Sequence, residues 1–250
     1  MELKAKRALI TGGTLGIGAA IAIDLVAGGA DVVINARTDD ALAQETLKKL
    51  QTHGQRCGLV VADMADGREA ERCVDEAVRL LGGLDILVHS AGGSSSGRIE
   101  EVTPEQWEYT FAVHVHAAYR LCRRALPVMR QNTEGAIILV SSVAGIRGCP
   151  NAIAYGTVKG AIAQFTRMLA RDVADENIRV NCVAPGIIRT RFHDTMTPEQ
   201  QAHNLRNRIP LHREGTADDV AQVVRLLVTN DFMTGETVVV DGGTSMQITR

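Results

Sequence analysis

The sequence predicts an α/β fold in which a doubly wound, seven-stranded parallel sheet carries helices on both faces within a single domain. Three observations lead to this prediction. Short apolar, β-branched segments alternate with longer segments of helical period along the chain. The strand segments are apolar at nearly every position, which is typical of strands buried on both faces. No internal repeat, low-complexity tract or Pro/Ser-rich linker divides the 250 residues.

The elements follow one another in a regular order. Strands are predicted at residues 7–11, 31–36, 58–62, 84–89, 136–141, 178–183 and 237–240. Helices fill the intervals at residues 16–28, 40–52, 67–81, 104–130, 152–176 and 216–229. Residues 189–213 depart from this alternation, and an irregular polar segment of such length in a compact domain often acts as a lid. We therefore expect residues 1–250 to form one domain with a substrate lid at about 189–213.

The composition excludes several classes of protein. A formal net charge of −2 at pH 7 argues against a general nucleic-acid or membrane-surface binder. The five cysteines are widely spaced and contain no Cys-x-x-Cys, which predicts free thiols in a reducing compartment and no metal site. No signal-peptide core and no apolar run of membrane-spanning length is present. The expected location is the cytoplasm.

A glycine-rich turn follows the first strand and reads Thr-Gly-Gly-Thr-Leu-Gly-Ile-Gly over residues 11–18. Glycines between a strand and a helix let the backbone approach a pyrophosphate, which the helix N-terminus attracts. A tight turn alone explains one or two glycines but not four. The predicted cofactor-binding residues of this turn are Gly12, Thr14, Leu15, Gly16, Ile17 and Gly18.

The end of the second strand indicates which dinucleotide binds. An NAD site usually offers a carboxylate there to the ribose 2′-hydroxyl. This strand is instead followed by Arg37, whose guanidinium can pair with a 2′-phosphate. NADP(H) is therefore favoured, and NAD(H) is the alternative if Asp39 or Asp40 reaches back to the ribose.

Tyr155 and Lys159 form the most informative pair of residues. After position 49 the chain contains twenty arginines and a single lysine, and that lysine stands four residues after Tyr155. Residues four apart lie on the same face of a helix. A compact ammonium beside a phenol favours the phenolate and lowers the tyrosine pKa from its ordinary value of about 10. We interpret the pair as an acid/base catalyst, with a chance pairing as the alternative.

Several motifs in order together resemble the short-chain dehydrogenase/reductase family over about residues 5–243. They are Thr11-Gly12-x3-Gly16-x-Gly18, Asp63, Ala91-Gly92, Ser142, Tyr155-x3-Lys159, Pro185-Gly186 with Thr190, and Asp241-Gly242-Gly243. Each motif alone has a purely structural alternative: Ser142 as the end of a strand, Asp63 as a helix cap, and Pro185-Gly186 as a turn. The resemblance implies a Rossmann-type sheet and hydride transfer between a nicotinamide and a carbonyl or alcohol.

The same resemblance implies roles for individual residues. Tyr155 would be the general acid in reduction and the base in oxidation, and Ser142 would hydrogen-bond the substrate oxygen. Lys159 would hold the nicotinamide ribose and lower the tyrosine pKa. Asp63 would contact the adenine amino group, and Thr190 would fix the carboxamide. Further residues predicted to bind the cofactor are Met64, Ser90, Ala91, Gly92, Pro185, Gly186 and Ile188.

Two histidines depart from the family pattern. Seven residues after Trp107 stands His114, where relatives carry an asparagine whose backbone carbonyl helps to hold a water in the proton path to the lysine. A histidine keeps the carbonyl, is bulkier and titrates near neutral pH. We keep His114 among the catalytic candidates and leave open a tolerated substitute, a changed proton relay and lost catalysis. His89 is interpreted as a strand-end variant that can help cofactor binding.

The expected substrate is a small carbonyl compound or alcohol. The pocket is predicted to involve residues 94–96, 143–151, 186–188 and the segment 189–213, in which basic side chains outnumber acids. A basic lid favours an anionic substrate, and a solvated charged helix at 198–208 is the alternative. A 3-oxoacyl-acyl-carrier-protein reductase is a further alternative. It is weakened because Thr133 and Glu176 stand where such enzymes carry docking arginines.

The leading functional hypothesis is an NADPH-dependent carbonyl reductase, or the reverse dehydrogenase. A hypothesis of another class is a non-catalytic dinucleotide-binding sensor, which only His114 favours. The resemblance also implies a homotetramer packed through the helices at 104–130 and 152–176.

Overall fold

A computed structural model describes residues 1–191 and 196–246 of the chain. Its strands are β1 (Arg7–Thr11), β2 (Asp31–Ala36), β3 (Cys57–Val61), β4 (Ile86–His89), β5 (Gly135–Val140), β6 (Ile178–Pro185) and β7 (Thr237–Val240). They pair in parallel in the order β3-β2-β1-β4-β5-β6-β7. The predicted seven-stranded parallel sheet is confirmed.

Helices cover both faces of the sheet, as predicted. They are α1 (Gly16–Ala27), α2 (Ala41–Gln51), α3 (Gly67–Leu81), α4 (Pro104–Phe111), α5 (Ala117–Met129), α6 (Ile153–Val173), α7 (Pro198–His203) and α8 (Ala217–Thr229). A π-helical turn, Ala112–His116, joins α4 to α5, so the single helix predicted at 104–130 contains a wider turn at its centre. A second π-helical turn, Asn204–Arg208, continues α7.

The sheet separates two apolar layers, which explains why its strands are apolar at successive positions. Leu9 packs into the layer beneath α3, α5 and α6, whereas the next residue, Ile10, packs into the layer beneath α1 and α8. Both side chains are fully buried. Burial of a side chain of this size contributes about 1.5–3 kcal/mol, and β1 to β6 contribute to both layers.

Helix ends show why the connections fall where they do. The Asp66 side chain accepts hydrogen bonds from the backbone of the first turn of α3, and Gly82 ends this helix with a left-handed φ of 75°. Thr103 and Thr197 start α4 and α7 in the same way, each with a glutamine three residues later that returns the hydrogen bond.

The carboxyl ends of all seven strands meet at one edge of the sheet. β1 and β4 lie side by side there, although their chains continue to opposite sides, and Thr11 pairs in register with His89. A crevice forms at such a change of direction and is where ligands bind in open α/β sheets.

The described residues of the segment 189–213 contact the loops that follow β6 and β7. Arg189 N donates to Gly215 O at 2.8 Å, and Leu211 N donates to Gly242 O at 3.2 Å. The helix considered at 198–208 is present as α7 and its π-helical turn. Residues 192–195, which belong to the predicted lid, lie outside the described residues.

Two findings bear on the class of protein. Within residues 1–191 and 196–246, no helix is both long and apolar enough to cross a membrane. The five cysteines carry free thiols, as predicted.

Candidate active site

The glycine turn after β1 packs directly against the loop that follows β4. Gly12 has a left-handed φ of +62°, and a Cβ there would lie 2.8 Å from Ala91 Cα. A Cβ at Gly18 would lie 2.2 Å from the Gly12 carbonyl oxygen, so α1 begins in close contact with the turn. Because only glycine fits these positions, the turn forms a backbone cradle that a pyrophosphate can approach.

The other residues of the turn complete this cradle. The Thr14 carbonyl accepts a hydrogen bond from Thr46 Oγ1 at 2.9 Å, which ties the turn to α2. Leu15 is the N-cap of α1, and its apolar side chain offers no acceptor to the N–H groups of the first turn. A Cβ at Gly16 would lie 3.2 Å from Thr190 Cγ2, so the turn faces the segment after β6. Two predicted cofactor motifs thus meet here.

The end of β2 carries a cation at the position where NAD sites have an acid. β2 ends at Ala36, and the exposed Arg37 that follows has Nη1 3.5 Å from Tyr109 Oη. Asp40 is the N-cap of α2, and its Oδ1 accepts hydrogen bonds from the backbone at 2.9 and 3.0 Å. Asp39 Oδ1 accepts a hydrogen bond from a side chain of α2. Both carboxylates considered for an NAD site are therefore bonded to α2.

Asp63 and Met64 follow β3. Asp63 Oδ1 accepts a hydrogen bond from Ala65 N at 2.9 Å, and Asp63 N donates to Glu69 Oε2 at 2.6 Å. The Asp63 carboxylate closes a local turn, whereas the N-cap of α3 is Asp66. Met64 is 2% exposed and packs in the core, so a cofactor could contact it only through its backbone.

Ser142, Tyr155 and Lys159 come together at the carboxyl end of β5. Ser142 is the N-cap of a 3-10 turn, Val143–Gly145, and its Oγ accepts a backbone hydrogen bond from that turn at 3.2 Å. A Cβ at Gly145 would lie 2.4 Å from the Lys159 carbonyl carbon, so the turn packs tightly on α6. This packing brings Ser142 to Tyr155, and the two side chains are hydrogen-bonded.

Lys159 is a buried cation in contact with the sheet. Its Nζ donates to Val140 O at 2.8 Å and lies 5.5 Å from the centroid of the Tyr155 ring. Its carbonyl accepts a hydrogen bond from Ser141 Oγ at 2.7 Å. Burial lowers the pKa of Lys159 to about 8, because water no longer stabilises the ammonium.

The pKa of Tyr155 differs from the expectation. Burial raises this pKa above its ordinary value, while the hydrogen bond to Ser142 acts in the opposite direction. The Lys159 ammonium donates a hydrogen bond to Val140 O, and its Nζ lies 5.5 Å from the centroid of the Tyr155 ring. This direction is opposite to the one predicted from Lys159, because desolvation of the phenolate is the largest effect on the tyrosine pKa.

His114 lies in the π-helical turn and is buried against the loop after β4. Its Nε2 lies 3.1 Å from Gly93 O, and its ring meets the Tyr155 ring edge-on with 6.0 Å between centroids. A Cβ at Gly92 would lie 2.1 Å from His114 Cε1. Burial, and after it the Lys159 charge, lowers the pKa of His114 to about 2. A pKa this low does not favour a relay through a protonated His114, and a role of His114 in catalysis stays a prediction.

His89 belongs to a network that the sequence did not reveal. Its Nδ1 lies 2.8 Å from Thr11 Oγ1, and its Nε2 lies 3.2 Å from the His114 carbonyl oxygen. Thr11 Oγ1 also accepts a hydrogen bond from Ala91 N at 3.2 Å, one residue after the partly buried Ser90. The register of β1 with β4 is the signal that would have paired Thr11 with His89.

The segment after β6 completes this edge of the sheet. Pro185 ends β6, and a Cβ at Gly186 would lie 2.7 Å from Asp241 Cβ, so the segment packs against the one after β7. Ile188 is 2% exposed, and Thr190 follows it beside the glycine turn. Pro185, Gly186 and Thr190 thus reach the predicted cofactor edge, while Ile188 packs into the core.

A cavity of about 350 Å³ opens beside the 3-10 turn that follows Ser142. Its lining is Val143, Ala144, Arg147, Gly148, Cys149, Arg208, Thr244 and Ser245. Arg208 Nη1 donates to Asn204 Oδ1 at 3.0 Å, and Arg147 donates to the Ser245 carbonyl. Among the described residues, the lining therefore holds two guanidinium groups and no carboxylate. Of the predicted pocket segments, 143–151 and 189–213 meet here, whereas 94–96 and 186–188 do not line this cavity.

Comparisons with known proteins agree with this geometry. A family model described as enoyl-(acyl carrier protein) reductase matches residues 12–245. Human dehydrogenase/reductase SDR family member 4 is 36% identical over 247 residues, which are 97% of this chain and 88% of the human protein. A short-chain dehydrogenase from Burkholderia cenocepacia, solved in complex with NADP, is 33% identical with a TM-score of 0.91 over 98% of this chain and 99% of its own. L-Sorbose reductase from Gluconobacter frateurii, solved with NADPH and L-sorbose, is 30% identical with a TM-score of 0.92 over 99% of this chain and 100% of its own.

Proposed function

The chain belongs to the short-chain dehydrogenase/reductase family, and we propose that it is an NADP(H)-dependent oxidoreductase whose Tyr155 exchanges a proton with a carbonyl or secondary-alcohol substrate. One observation carries the proposal: Ser142 is hydrogen-bonded to Tyr155, one helical turn from the buried Lys159. These residues lie at the same edge of the sheet as the glycine turn, with β4 between β5 and β1, and a dinucleotide binds at this edge in sheets of this order.

The residues at this edge fit a dinucleotide. Gly12 and Gly92 keep side chains out of the cradle, since a Cβ at either would clash with its neighbours. The groups that would hold the cofactor are the glycine turn for the pyrophosphate, Arg37 for the 2′-phosphate, Asp63 for the adenine, and Lys159 and Thr190 for the nicotinamide riboside. When bound, the nicotinamide supplies or accepts the hydride.

The chain's own residues manage the proton. In reduction, Tyr155 Oη donates its proton to the carbonyl oxygen, and in oxidation it takes the proton from the hydroxyl. Ser142 Oγ hydrogen-bonds the same oxygen and stabilises the charge that develops on it. The Lys159 ammonium stabilises the tyrosinate that remains after proton donation.

NADP(H) is the proposed cofactor because of the charges at the end of β2. The Arg37 guanidinium can form two parallel hydrogen bonds with a phosphate, and Asp39 and Asp40 are bonded to α2. The Burkholderia and Gluconobacter relatives were solved with NADP and NADPH. NAD(H) remains the alternative cofactor.

An anionic substrate is proposed from the charges at the cavity, with the segment 189–213 as the lid. Arg189 and Arg213 of this segment are paired with Glu214 and Asp219 at 2.9 and 2.8 Å. Arg208 and Arg147 line the cavity. Two guanidinium groups beside the 3-10 turn that follows Ser142 favour a carboxylate- or phosphate-bearing carbonyl compound.

Reduction of 3-oxoacyl groups on acyl carrier protein is the less favoured alternative. Glu176 occupies one of the two expected docking positions, where it accepts two hydrogen bonds from Arg130 at 2.9 Å. Thr133 occupies the other. An acidic partner protein would meet a carboxylate and a hydroxyl at these positions rather than two cations.

Turnover with a panel of carbonyl compounds tests the proposal. We expect purified protein to consume NADPH with at least one of the neutral or anionic carbonyls. The reaction is measured as the loss of reduced-cofactor absorbance. Tight NADPH binding without turnover across a broad panel would instead support the non-catalytic sensor.

A homotetramer in the cytoplasm completes the proposal. Tyr119 on α5 and Met168 on α6 are exposed apolar side chains on the two helices named for subunit contacts. The five free thiols suit a reducing compartment. Sedimentation equilibrium would measure the subunit number, and a monomer at micromolar concentration would contradict the tetramer.

A further inference from the structure

Two buried imidazoles link three separate elements at the cofactor edge. His89 stands at the end of β4, Thr11 at the end of β1, and His114 in the π-helical turn between α4 and α5. The contacts run from Thr11 Oγ1 to His89 Nδ1 at 2.8 Å and from His89 Nε2 to the His114 carbonyl oxygen at 3.2 Å. Thr11 and His89 are already neighbours in the paired strands β1 and β4, and the His89 side chain adds the link to the π-helical turn.

The chemistry of the groups sets the direction of the hydrogen bonds that His89 and Thr11 make in this network. A carbonyl oxygen only accepts, so His89 Nε2 carries the proton and donates it to the His114 carbonyl. In a neutral ring Nδ1 is then an acceptor, and Thr11 Oγ1 donates to it while accepting from Ala91 N. Burial, and after it the Lys159 charge, lowers the pKa of His89 to about 4, which agrees with the neutral ring.

The His114 ring extends the network to the loop after β4. Its Nε2 lies 3.1 Å from Gly93 O, and its Cε1 occupies the space that a Cβ on Gly92 would need. The same ring meets Tyr155 edge-on. The backbone position of residue 114 therefore determines where its ring contacts both the loop 90–93 and the tyrosine.

We propose that His89 is a positioning residue of the active site: it holds the π-helical turn through the His114 carbonyl, and His114 in turn fixes the loop 90–93 and the Tyr155 ring. We call these contacts of His89 and His114 the clamp, and its role in hydride transfer rests on the function proposed above. In this proposal neither imidazole carries the catalytic proton, because His89 Nε2 is hydrogen-bonded to a carbonyl and burial lowers the pKa of both rings. The clamp keeps the π-helical turn, and with it the His114 ring, in one position beside the site.

Substitutions at His89 distinguish this role from ordinary core packing. His89→Gln keeps an N–H donor near the position of Nε2, whereas His89→Leu keeps the bulk and removes the donor. We expect His89→Leu to weaken NADPH binding and to lower kcat, each by about tenfold, because the His114 carbonyl loses its side-chain donor. His89→Gln should recover most of both losses. Binding is read from quenching of Trp107, the single tryptophan, which lies on α4.

Controls separate the possible outcomes. His53→Leu, at an exposed histidine, should change neither quantity. The double variant His89→Leu with His114→Asn should be no worse than the more damaging single variant, because residues of one network do not act additively. A His89→Leu protein with a lower Tm but unchanged NADPH affinity and kcat would overturn the clamp, as would additive effects in the double variant.

Nitrogen NMR of the histidine rings tests the clamp even if no substrate is found. We expect His89 in the Nε2-protonated tautomer. In Thr11→Val, the Nδ1 signal of His89 should lose the shift caused by its hydrogen bond from Thr11. The Nδ1-protonated tautomer would refute the proposed network. Failure of the wild-type protein to bind NADPH would refute the proposed function and leave the tautomer result to decide the clamp.

Discussion

The cofactor edge and the substrate cavity that we propose for this protein are built in different ways. At the cofactor edge, formed by residues 12–18, 37 and 90–93, the backbone itself is the surface: a Cβ at Gly12 or Gly92 would come within 2.8 or 2.1 Å of a neighbour. At the cavity, long side chains such as Arg147 and Arg208 form the lining. A site made of backbone needs glycines at particular spacings, whereas a site made of side chains leaves no such pattern in the sequence.

Tyr155 lies between the two regions, so removing its hydroxyl separates chemistry from cofactor binding. We expect Tyr155→Phe to lower kcat by on the order of 10²–10⁴, the usual contribution of a positioned acid or base. NADPH affinity should stay within about twofold, since the ring and its edge-on contact with His114 remain. Steady-state kinetics and Trp107 quenching measure the two quantities. Near-wild-type turnover in this variant would contradict the role assigned to Tyr155.

Lys159 is the buried charge at the junction, and its cost depends on pH. Its pKa is about 8 in the folded protein and 10.5 unfolded, so the unfolded chain binds more protons between these values and stability rises with pH there. Below about pH 8 the buried ammonium costs on the order of 3 kcal/mol. We expect Lys159→Met to be more stable than wild type at about pH 7, with the difference shrinking toward about pH 10.5.

Urea unfolding at a series of pH values measures this difference. Lys49→Met serves as the control, because Lys49 is an exposed lysine in a surface ion pair with Glu45. If the stability difference between Lys159→Met and wild type does not change with pH, burial of the ammonium is not its cause.

The sequence predicted the strands and the glycine turn after β1 well because local rules govern them. Strand ends and the glycine turn follow from periodicity and backbone conformation, and Tyr155 and Lys159 share a helical face because they are four residues apart. It failed where distant elements decide the outcome. The pKa directions of Tyr155 and His114 depend on burial, and the link from Thr11 through His89 depends on the order and register of β1 and β4.

Among residues 12–18, 37 and 90–93, Arg37 is the charged side chain. Its substitution should therefore change ligand binding through charge, as at the cavity. We expect Arg37→Asp to weaken NADPH binding by about 10- to 100-fold and to improve NADH binding, because a paired phosphate charge is replaced by repulsion. Arg37→Gln should fall between the two. Dissociation constants for both dinucleotides measure the change. Equal use of both by the wild-type protein would contradict the NADP(H) assignment.

Arg208 gives the smallest expected effect and the sharpest test of the cavity. Arg208→Gln keeps a donor near Asn204 and removes the charge, so the KM for anionic carbonyls should rise by about tenfold with kcat unchanged. The KM for neutral carbonyls should not change. Arg213→Gln is the matched control on the same segment, because Arg213 is paired with Asp219 and does not line the cavity. An equal rise in KM for neutral substrates would mean that Arg208 shapes the cavity rather than recognising charge. Among the proposed ligand contacts of these two regions, recognition by a side-chain charge would then be limited to Arg37.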